Sequence, residues 1–138
     1  MTALAPADAL AILQLVAQAD SSATRRDAAG YAALFTEDGV MAGDMGHVRG
    51  RDGLAAAVAR VWAQEPLGTL HLTCNAVLAG PASNPSVASI LVMLIPQTPG
   101  AAVQAASITQ RFARTPAGWR ISSREITTAP ATEHPVGQ

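Results

Sequence analysis

The chain has 138 residues, of which 49% are hydrophobic and 14% charged, and its formal net charge is −1. This length suits one domain, and so apolar a composition can form a buried core and excludes an intrinsically disordered chain. Nine basic residues balance ten acidic ones, and the largest basic cluster is the pair Arg25-Arg26. We therefore predict no nucleic-acid partner and no membrane partner, since both would require a positively charged surface.

The only cysteine, Cys74, excludes an intrachain disulfide, and its place inside a strand-like run predicts a buried, inert thiol. Residues 1–9 carry Asp8 and lack the basic region of a secretory signal. The longest apolar run, Ala88 to Ile95, is too short to span a membrane. From these features we expect a cytoplasmic protein.

Three helices are predicted in the first half of the chain. Apolar residues at three- and four-residue spacing predict a helix from about Pro6 to Asp20, and the two serines that follow weaken its continuation. A second helix is predicted from about Arg26 to Phe35, with Gly39 as a C-terminal cap. A third is predicted from Asp52, as its N-cap, to Ala63.

The second half reads as strands separated by short proline- and glycine-rich turns. Two short strands come first, at Val40–Ala42 and His47–Arg49, and four long ones follow, at Leu70–Ala79, Ser86–Ile95, Ala101–Arg114 and Gly118–Thr128. Such turns between long strands indicate an antiparallel meander. Helices grouped before strands predict an α+β domain over residues 1–130 with its helices on one face of the sheet, followed by a loose tail over residues 131–138.

Four short segments carry a pattern that links them: Tyr31–Val40, Gly50–Leu54, His71–Asn75, and Gly118–Ile121 followed by Arg124. In this order they resemble motifs of the SnoaL-like families in the nuclear-transport-factor-2-like superfamily, which includes scytalone-dehydratase-like and ketosteroid-isomerase-like proteins. The resemblance spans Ile12 to Ile126. It implies a cone-shaped, curved, mixed or antiparallel sheet that encloses an apolar pocket with three helices. It implies less about function, because this fold hosts isomerases, dehydratases, cyclases and non-catalytic binding domains.

His71 is the first candidate for chemistry. Strand alternation places His71, Thr73 and Asn75 on one face of the sheet and Leu72 and Cys74 on the other. The resemblance implies that His71 points into the pocket, where an imidazole could move protons near neutral pH. The alternative is a structural hydrogen bond to a neighbouring side chain.

Asp20 is the second candidate, because it lies one helical turn beyond the apolar Val16. A carboxylate at the rim of an apolar pocket would have a raised pKa and could act as a base. Alternatively, Asp20 is a solvated residue at the helix end. Arg124 either turns toward the pocket, where it could hold a substrate carboxylate or enolate, or lies on the sheet surface at a dimer contact.

Other pocket positions follow from the same reading of the helices and strands. The remaining predicted substrate-binding residues are Tyr31, Phe35, Met41, Trp62, Thr73, Leu91, Met93, Ile108 and Gln110. We expect no cofactor and no metal, because the chain has no phosphate-binding glycine loop and its histidines and cysteine are scattered. The open face of the sheet would carry apolar residues such as Leu72, Ile90 and Ile121, which predicts a homodimer.

These observations give two hypotheses for function. The first is a cofactor-independent acid–base enzyme, an isomerase, dehydratase or cyclase, with His71 and Asp20 as catalytic groups. Its substrate would be an apolar metabolite with a carbonyl or hydroxyl group, such as a polyketide- or steroid-like compound.

The second is a non-catalytic ligand-binding or association domain of the same fold. Neutral residues favour it, because Thr24, Leu91 and Gln110 stand where dehydratase-like relatives often carry ionisable groups. A carboxylate within hydrogen-bond reach of His71, facing an open pocket, would favour the enzyme.

Overall fold

The computed structural model describes residues 3–44, 46–96 and 102–128. Its helices are α1 (Pro6–Thr24), α2 (Ala28–Ala33) and α3 (Arg51–Ala63). Its strands are β1 (Phe35–Gly43), β2 (Gly46–Arg49), β3 (Leu70–Ala79), β4 (Ser86–Ile95), β5 (Ala102–Thr115) and β6 (Gly118–Thr128). The predicted tail over residues 131–138 lies outside the described residues.

All six strands belong to one sheet in the order β2-β1-β6-β5-β4-β3. β1 runs parallel to β6, and every other neighbouring pair is antiparallel. The sheet curls but does not close, so β2 and β3 remain its edges. The helices before the meander and the curved mixed sheet confirm the predicted α+β class.

The core lies between the helices and one face of the sheet. Ile12 of α1 and Leu54 of α3 are fully enclosed there, with Phe35, Phe112 and Ile121 from the strands. Enclosing a side chain of this size stabilises the fold by roughly 1.5–3 kcal/mol relative to leaving it in water. This packing fixes α1 against β3 and β6, and α3 against β1 and β2.

The first helix is longer than its sequence pattern predicts. It continues past Asp20 to Thr24, because Ser22 and Ala23 are buried against the core. Tertiary burial therefore outweighs the weak helix propensity of the serine pair. As a result Asp20 lies inside the last turns of α1 and not at its end.

The second helix is shorter than predicted, and the assignment of Gly39 as its cap is wrong. Asp27 caps α2 by accepting a hydrogen bond from the Gly30 N–H at 2.9 Å. Phe35 already belongs to β1, where its Cα pairs with that of Ile121, and Gly39 lies within the same strand. A Cβ at Gly39 would lie 2.9 Å from the Phe35 Cβ, so the glycine leaves room for the buried ring.

The N-cap of the third helix is Gly50, not Asp52. Gly50 has a φ of 88°, a backbone conformation that glycine adopts readily. Asp52 lies in the first turn, where its negative charge complements the helix dipole. The side chain of Arg51 donates two hydrogen bonds to the Phe35 carbonyl, at 2.7 and 3.0 Å, and so attaches the start of α3 to β1.

The long strands begin and end close to the predicted residues, but bulges change which face some side chains occupy. Near the middle of β6 the register with β5 shifts between Arg111 and Phe112, so strict alternation fails there. Ile121 is consequently fully buried, contrary to its predicted place on the open face. In β3 the register shifts between Cys74 and Val77, and Asn75 adopts a positive φ of 54° and is exposed.

Cys74 is exposed, so the prediction of a buried thiol is wrong. Its strand lies at the edge of the sheet, and the face that it shares with Leu72 is not covered by a helix of the described part of the chain. Leu72 and Ile90 are 44% and 38% exposed on that face, as predicted for an open face with apolar residues.

Among the described residues, no helix combines the length and apolar character needed to cross a membrane.

Asp8 joins the start of α1 to the β5–β6 hairpin, and this contact generates a prediction. Its Oδ1 accepts hydrogen bonds from Trp119 Nε1 at 2.9 Å and from Arg114 Nη2 at 2.8 Å. These two donors lower the pKa of Asp8. A lowered folded-state pKa contributes stability above the unfolded value, about 3.9, and this contribution is lost as the pH falls through the folded pKa.

We therefore expect Asp8→Asn to unfold at a lower urea concentration than the wild type at pH 7. The difference should begin to shrink as the pH falls below about 4, where the carboxyl of the unfolded chain is protonated, and should vanish as the pH falls through the lower folded-state pKa. Urea titrations at several pH values would measure it. A difference that stays constant from pH 7 to pH 3 would contradict the role of the Asp8 charge.

Candidate functional site

A cavity of about 630 Å³ lies between the helices and the inner face of the sheet. Its wall is mostly apolar, with side chains such as Met41, Val58 and Leu91. The ionisable side chains around it are Asp20, Tyr31, Asp44, Arg60, Glu65, His71 and Arg124. Ligand sites typically have this composition, since the apolar wall supplies affinity and the few polar groups set orientation.

His71 lies in this wall, 6% exposed, and its imidazole pairs with Glu65. His71 Nε2 lies 3.1 Å from Glu65 Oε1 and 3.2 Å from Oε2. The carboxylate therefore favours the tautomer that carries its proton on Nε2. The other nitrogen, Nδ1, is buried and has no hydrogen-bond partner among the described residues.

The backbones of both residues are held by side chains from the α1 region. The His71 N–H donates to Thr24 Oγ1 at 2.9 Å, so Thr24 positions the first residues of β3. Arg26 Nη2 donates to the Glu65 carbonyl at 2.6 Å, in the loop that follows α3. The Trp62 ring packs 6.4 Å from the His71 ring, measured between centroids. These contacts fix the imidazole and carboxylate relative to the cavity.

Asp20 lines the cavity and also a shallow groove of about 430 Å³ between α1 and β3, which His71 and Thr73 share. Burial raises the pKa of Asp20, while Thr73 and the charges of Arg124 and His71 partly oppose this shift. A carboxyl group with a raised pKa is a better proton acceptor than an ordinary solvated aspartate. Asp20 and His71 therefore line both the groove and the cavity.

Tyr31 and Arg124 form a second polar pair in the wall. Arg124 is 3% exposed, and its Nη1 donates to the Tyr31 hydroxyl at 2.5 Å. The guanidinium carbon lies 5.3 Å from the centre of the Tyr31 ring. Burial raises the pKa of Tyr31, although Arg124 opposes this, so the phenol keeps its proton at neutral pH.

The structure brings most of the predicted site residues together. Those that line the cavity are Asp20, Tyr31, Met41, Trp62, His71, Leu91, Met93 and Arg124. Thr73 lines the groove on the other side of Asp20. Phe35, Ile108 and Gln110 are instead almost completely buried and do not line the cavity. Of the two places considered for Arg124, the structure shows the cavity wall and not the sheet surface.

Glu65 is the residue that sequence reasoning missed. It lies in a loop six residues before His71, outside every periodic segment, so no pattern associates it with the sheet. The available signal was weak: a carboxylate between the end of a helix and Pro66, close in sequence to the candidate histidine.

Within residues 3–44, 46–96 and 102–128, no group of three or more histidine, cysteine or carboxylate side chains is arranged to hold a metal ion.

Solved structures share this architecture over nearly the whole chain. A protein of unknown function from Nostoc punctiforme, with a cystatin-like fold, is 24% identical with a TM-score of 0.85, covering 95% of this chain and 97% of that one. An NTF2-like protein from Novosphingobium aromaticivorans is 24% identical with a TM-score of 0.78, over 91% and 84% of the two chains.

A third structure, from Catenulispora acidiphila, was solved in complex with S-DNPA. It is 17% identical with a TM-score of 0.75, over 85% of this chain and 90% of that one. At these identities the likeness concerns the fold alone. Comparison with the curated proteins gave no match.

The family profile described as SnoaL-like domain matches residues 6–125, which include all of the cavity's ionisable groups. The motifs at Gly50–Leu54 and His71–Asn75 lie inside this range, and so does the last strand with Arg124. The chain therefore belongs to the SnoaL-like domain family, with the NTF2-like fold.

Proposed function

We propose that this protein is a cofactor-independent acid–base enzyme that moves a proton on an apolar, carbonyl- or hydroxyl-bearing small molecule. The observation that carries the proposal is the contact between His71 Nε2 and the Glu65 carboxylate in the wall of the cavity. This carboxylate within hydrogen-bond reach of the histidine is the feature that favours an enzyme over a passive binding domain. The solved complex of a fold neighbour with S-DNPA supports a small-molecule occupant.

The proposed chemistry assigns a role to each group. Glu65 orients the imidazole, and His71 Nδ1 is left to accept or return a proton. A buried nitrogen without a partner costs free energy, which a bound molecule would recover by supplying that partner. Asp20 approaches the same cavity and accepts a proton readily because burial raises its pKa.

The reaction type that these groups support is proton abstraction next to a carbonyl, followed by return of a proton at the same or another carbon. Isomerisation of a polyketide- or steroid-like compound consists of these two transfers. Dehydration and cyclisation share only the abstraction: in dehydration the hydroxyl group then leaves as water, and in cyclisation the carbanion adds to a second carbonyl, whose oxygen takes up the proton. The Tyr31 phenol, which keeps its proton, could donate a hydrogen bond to the carbonyl oxygen as negative charge develops on it. The apolar wall excludes water and so strengthens these electrostatic contacts.

Hydrogen–deuterium exchange of 2-tetralone tests this proposal without the natural substrate. We expect the wild type to accelerate the loss of the C1 proton signal of 2-tetralone in D₂O, which NMR measures over time. The variant His71→Ala should exchange this proton about 10²-fold more slowly, or slower still, as expected when a general acid–base group is removed. Glu65→Gln should cause a partial loss, because an amide can still contact the ring but no longer carries a charge.

The matched control is His47→Ala, which removes an exposed histidine from β2. It should leave the exchange rate unchanged. Calorimetric binding of 2-tetralone without accelerated exchange by the wild type would overturn the enzyme proposal and support the ligand-binding domain. An unchanged rate in His71→Ala would overturn the role of His71.

The raised pKa of Asp20 generates a separate prediction with the opposite sign to that of Asp8. Because the pKa of Asp20 is higher in the folded chain than in the unfolded chain, the folded chain binds more protons at pH values between these two pKa values. At higher pH the buried carboxylate is ionised, and its ionised form destabilises the fold. We expect Asp20→Asn to unfold at a higher urea concentration than the wild type at pH 7, and to lose this advantage below about pH 4. A destabilised variant at pH 7 would show that contacts of the carboxylate outweigh its burial.

We further propose that two copies associate through the open face of the sheet. Leu72, Val77, Ile90 and Val103 are all exposed, and contiguous apolar surface of this kind is typically covered in solution. Cys74 pairs with Ile90 across β3 and β4, so its thiol reports on the same surface.

Sedimentation velocity at micromolar concentration should give a dimer for the wild type and a monomer for Ile90→Glu. Cys74 should react with a thiol reagent more slowly in the wild type than in that variant. Leu10→Glu is the control, since Leu10 is 60% exposed on α1 and away from the sheet. A monomeric wild type would refute this association.

A further inference from the structure

Arg124 is a buried cation whose charge is not neutralised by a direct ion pair. It is 3% exposed, and no carboxylate of the described residues lies within 4 Å of its nitrogens. Its one hydrogen bond to a side chain in this part of the chain goes to the neutral hydroxyl of Tyr31. Its Nε has no partner there. A buried charge without a compensating partner is costly, so such groups in native proteins are normally paired.

The neighbours of Arg124 do not remove this cost. Gln110 is the Cα partner of Arg124 on β5 and is completely buried, yet both amide atoms of its side chain lack a hydrogen-bond partner among the described residues. Asp20 is close enough to interact electrostatically with Arg124, but it forms no ion pair with it. The charge of Arg124 opposes the effect of burial on the pKa of Asp20 but does not outweigh it, so Asp20 compensates the guanidinium only in part.

The position of Arg124 makes its free donors available to a ligand. It lines the same cavity as His71, and Tyr31 fixes one end of the guanidinium there. Apolar side chains also line this wall, including Met41, Ala106 and Ile126. A guanidinium presents several donors in one plane, a geometry that matches the two oxygens of a carboxylate.

We propose that the molecule bound in this cavity carries a carboxylate, which pairs with Arg124 while the apolar body of the molecule fills the remaining space. This inference rests on the proposed function, in that it specifies the substrate class of the same cavity. The substrate is then an apolar carboxylic acid that also bears the carbonyl or hydroxyl group of the proposed reaction. Arg124 sets specificity by orienting the carboxylate, and His71 and Asp20 act on another part of the molecule.

The test compares 2-naphthoate with 2-naphthamide, which have the same ring system and similar size but differ in charge. Isothermal titration calorimetry at pH 7.5 and low salt should show 2-naphthoate binding at least about tenfold more tightly than 2-naphthamide, as a charge-assisted contact in an apolar wall predicts. Arg124→Gln should bind 2-naphthoate and 2-naphthamide with about the same affinity. Equal affinities in the wild type would overturn the proposal, whether or not any variant folds.

The matched control is Arg111→Gln, which removes the same charge from an exposed residue of β5 that does not line the cavity. It should keep the preference for 2-naphthoate, because a solvated charge contributes little to the pairing. A loss in Arg111→Gln equal to that in Arg124→Gln would show that general charge, and not Arg124, selects the acid. Far-UV circular dichroism of each variant confirms that it is folded.

Failure of this inference can be distinguished from failure of the proposed function. 2-Tetralone is neutral, so its deuterium exchange depends on His71 and Asp20 and not on pairing with Arg124. Exchange without a preference for 2-naphthoate would overturn the carboxylate assignment alone. A preference for 2-naphthoate without exchange would overturn the acid–base proposal and leave the carboxylate assignment intact.

Discussion

The small side chains that face each other across the interior are the constraint on which the rest of the structure depends. Ala23 and Ala57 on the helices, and Ala42 and Ala106 on the strands, all line the cavity. A side chain that ends at Cβ cannot fill the space between a curled sheet and the helices that cover it. The core is therefore closely packed at Ile12, Phe35 and Ile121, while the cavity lies beside it.

An apolar volume of this kind controls the behaviour of every ionisable group in its wall. Loss of water favours neutral forms, which is why burial raises the pKa of both Asp20 and Tyr31. Groups that remain polar need partners, and the protein supplies them unevenly. His71 has Glu65 on one nitrogen, and Arg124 has Tyr31 on one of its three. Among the described residues, His71 Nδ1 and Arg124 Nε are left without partners, and both side chains belong to the cavity wall, where a ligand can approach them.

The backbone brings these groups to one wall through features that strict alternation does not describe. In β6 a shift in register with β5 places Ile121 in the core and Arg124 in the cavity wall, although they are an odd number of residues apart. The continuation of α1 to Thr24 places the Thr24 hydroxyl under the His71 N–H. The contact of Thr24 with β3 gives this neutral residue a structural role in positioning the histidine.

The sequence predicted those parts of the fold that depend on local patterning. Hydrophobic periodicity and proline- or glycine-rich turns gave the bounds of β3, β4 and β6, and the ordered motifs indicated the family. They also identified His71, Asp20, Tyr31 and Arg124 as candidates. Errors occurred where a neighbour in space outweighs a local preference, as at Phe35, which pairs with β6 although the residues before it are helical.

What the sequence alone determined is therefore the class of fold, most strand limits and the identity of several cavity residues, because these depend on the period and order of nearby residues. Only the tertiary structure decided that Glu65 is the partner of His71, that Cys74 is exposed and that Arg124 lacks a carboxylate within 4 Å among the described residues. Each of these depends on bulges, loop paths and contacts between distant segments. No periodic pattern encodes such contacts, since they arise only when the sheet curls and the helices pack against it.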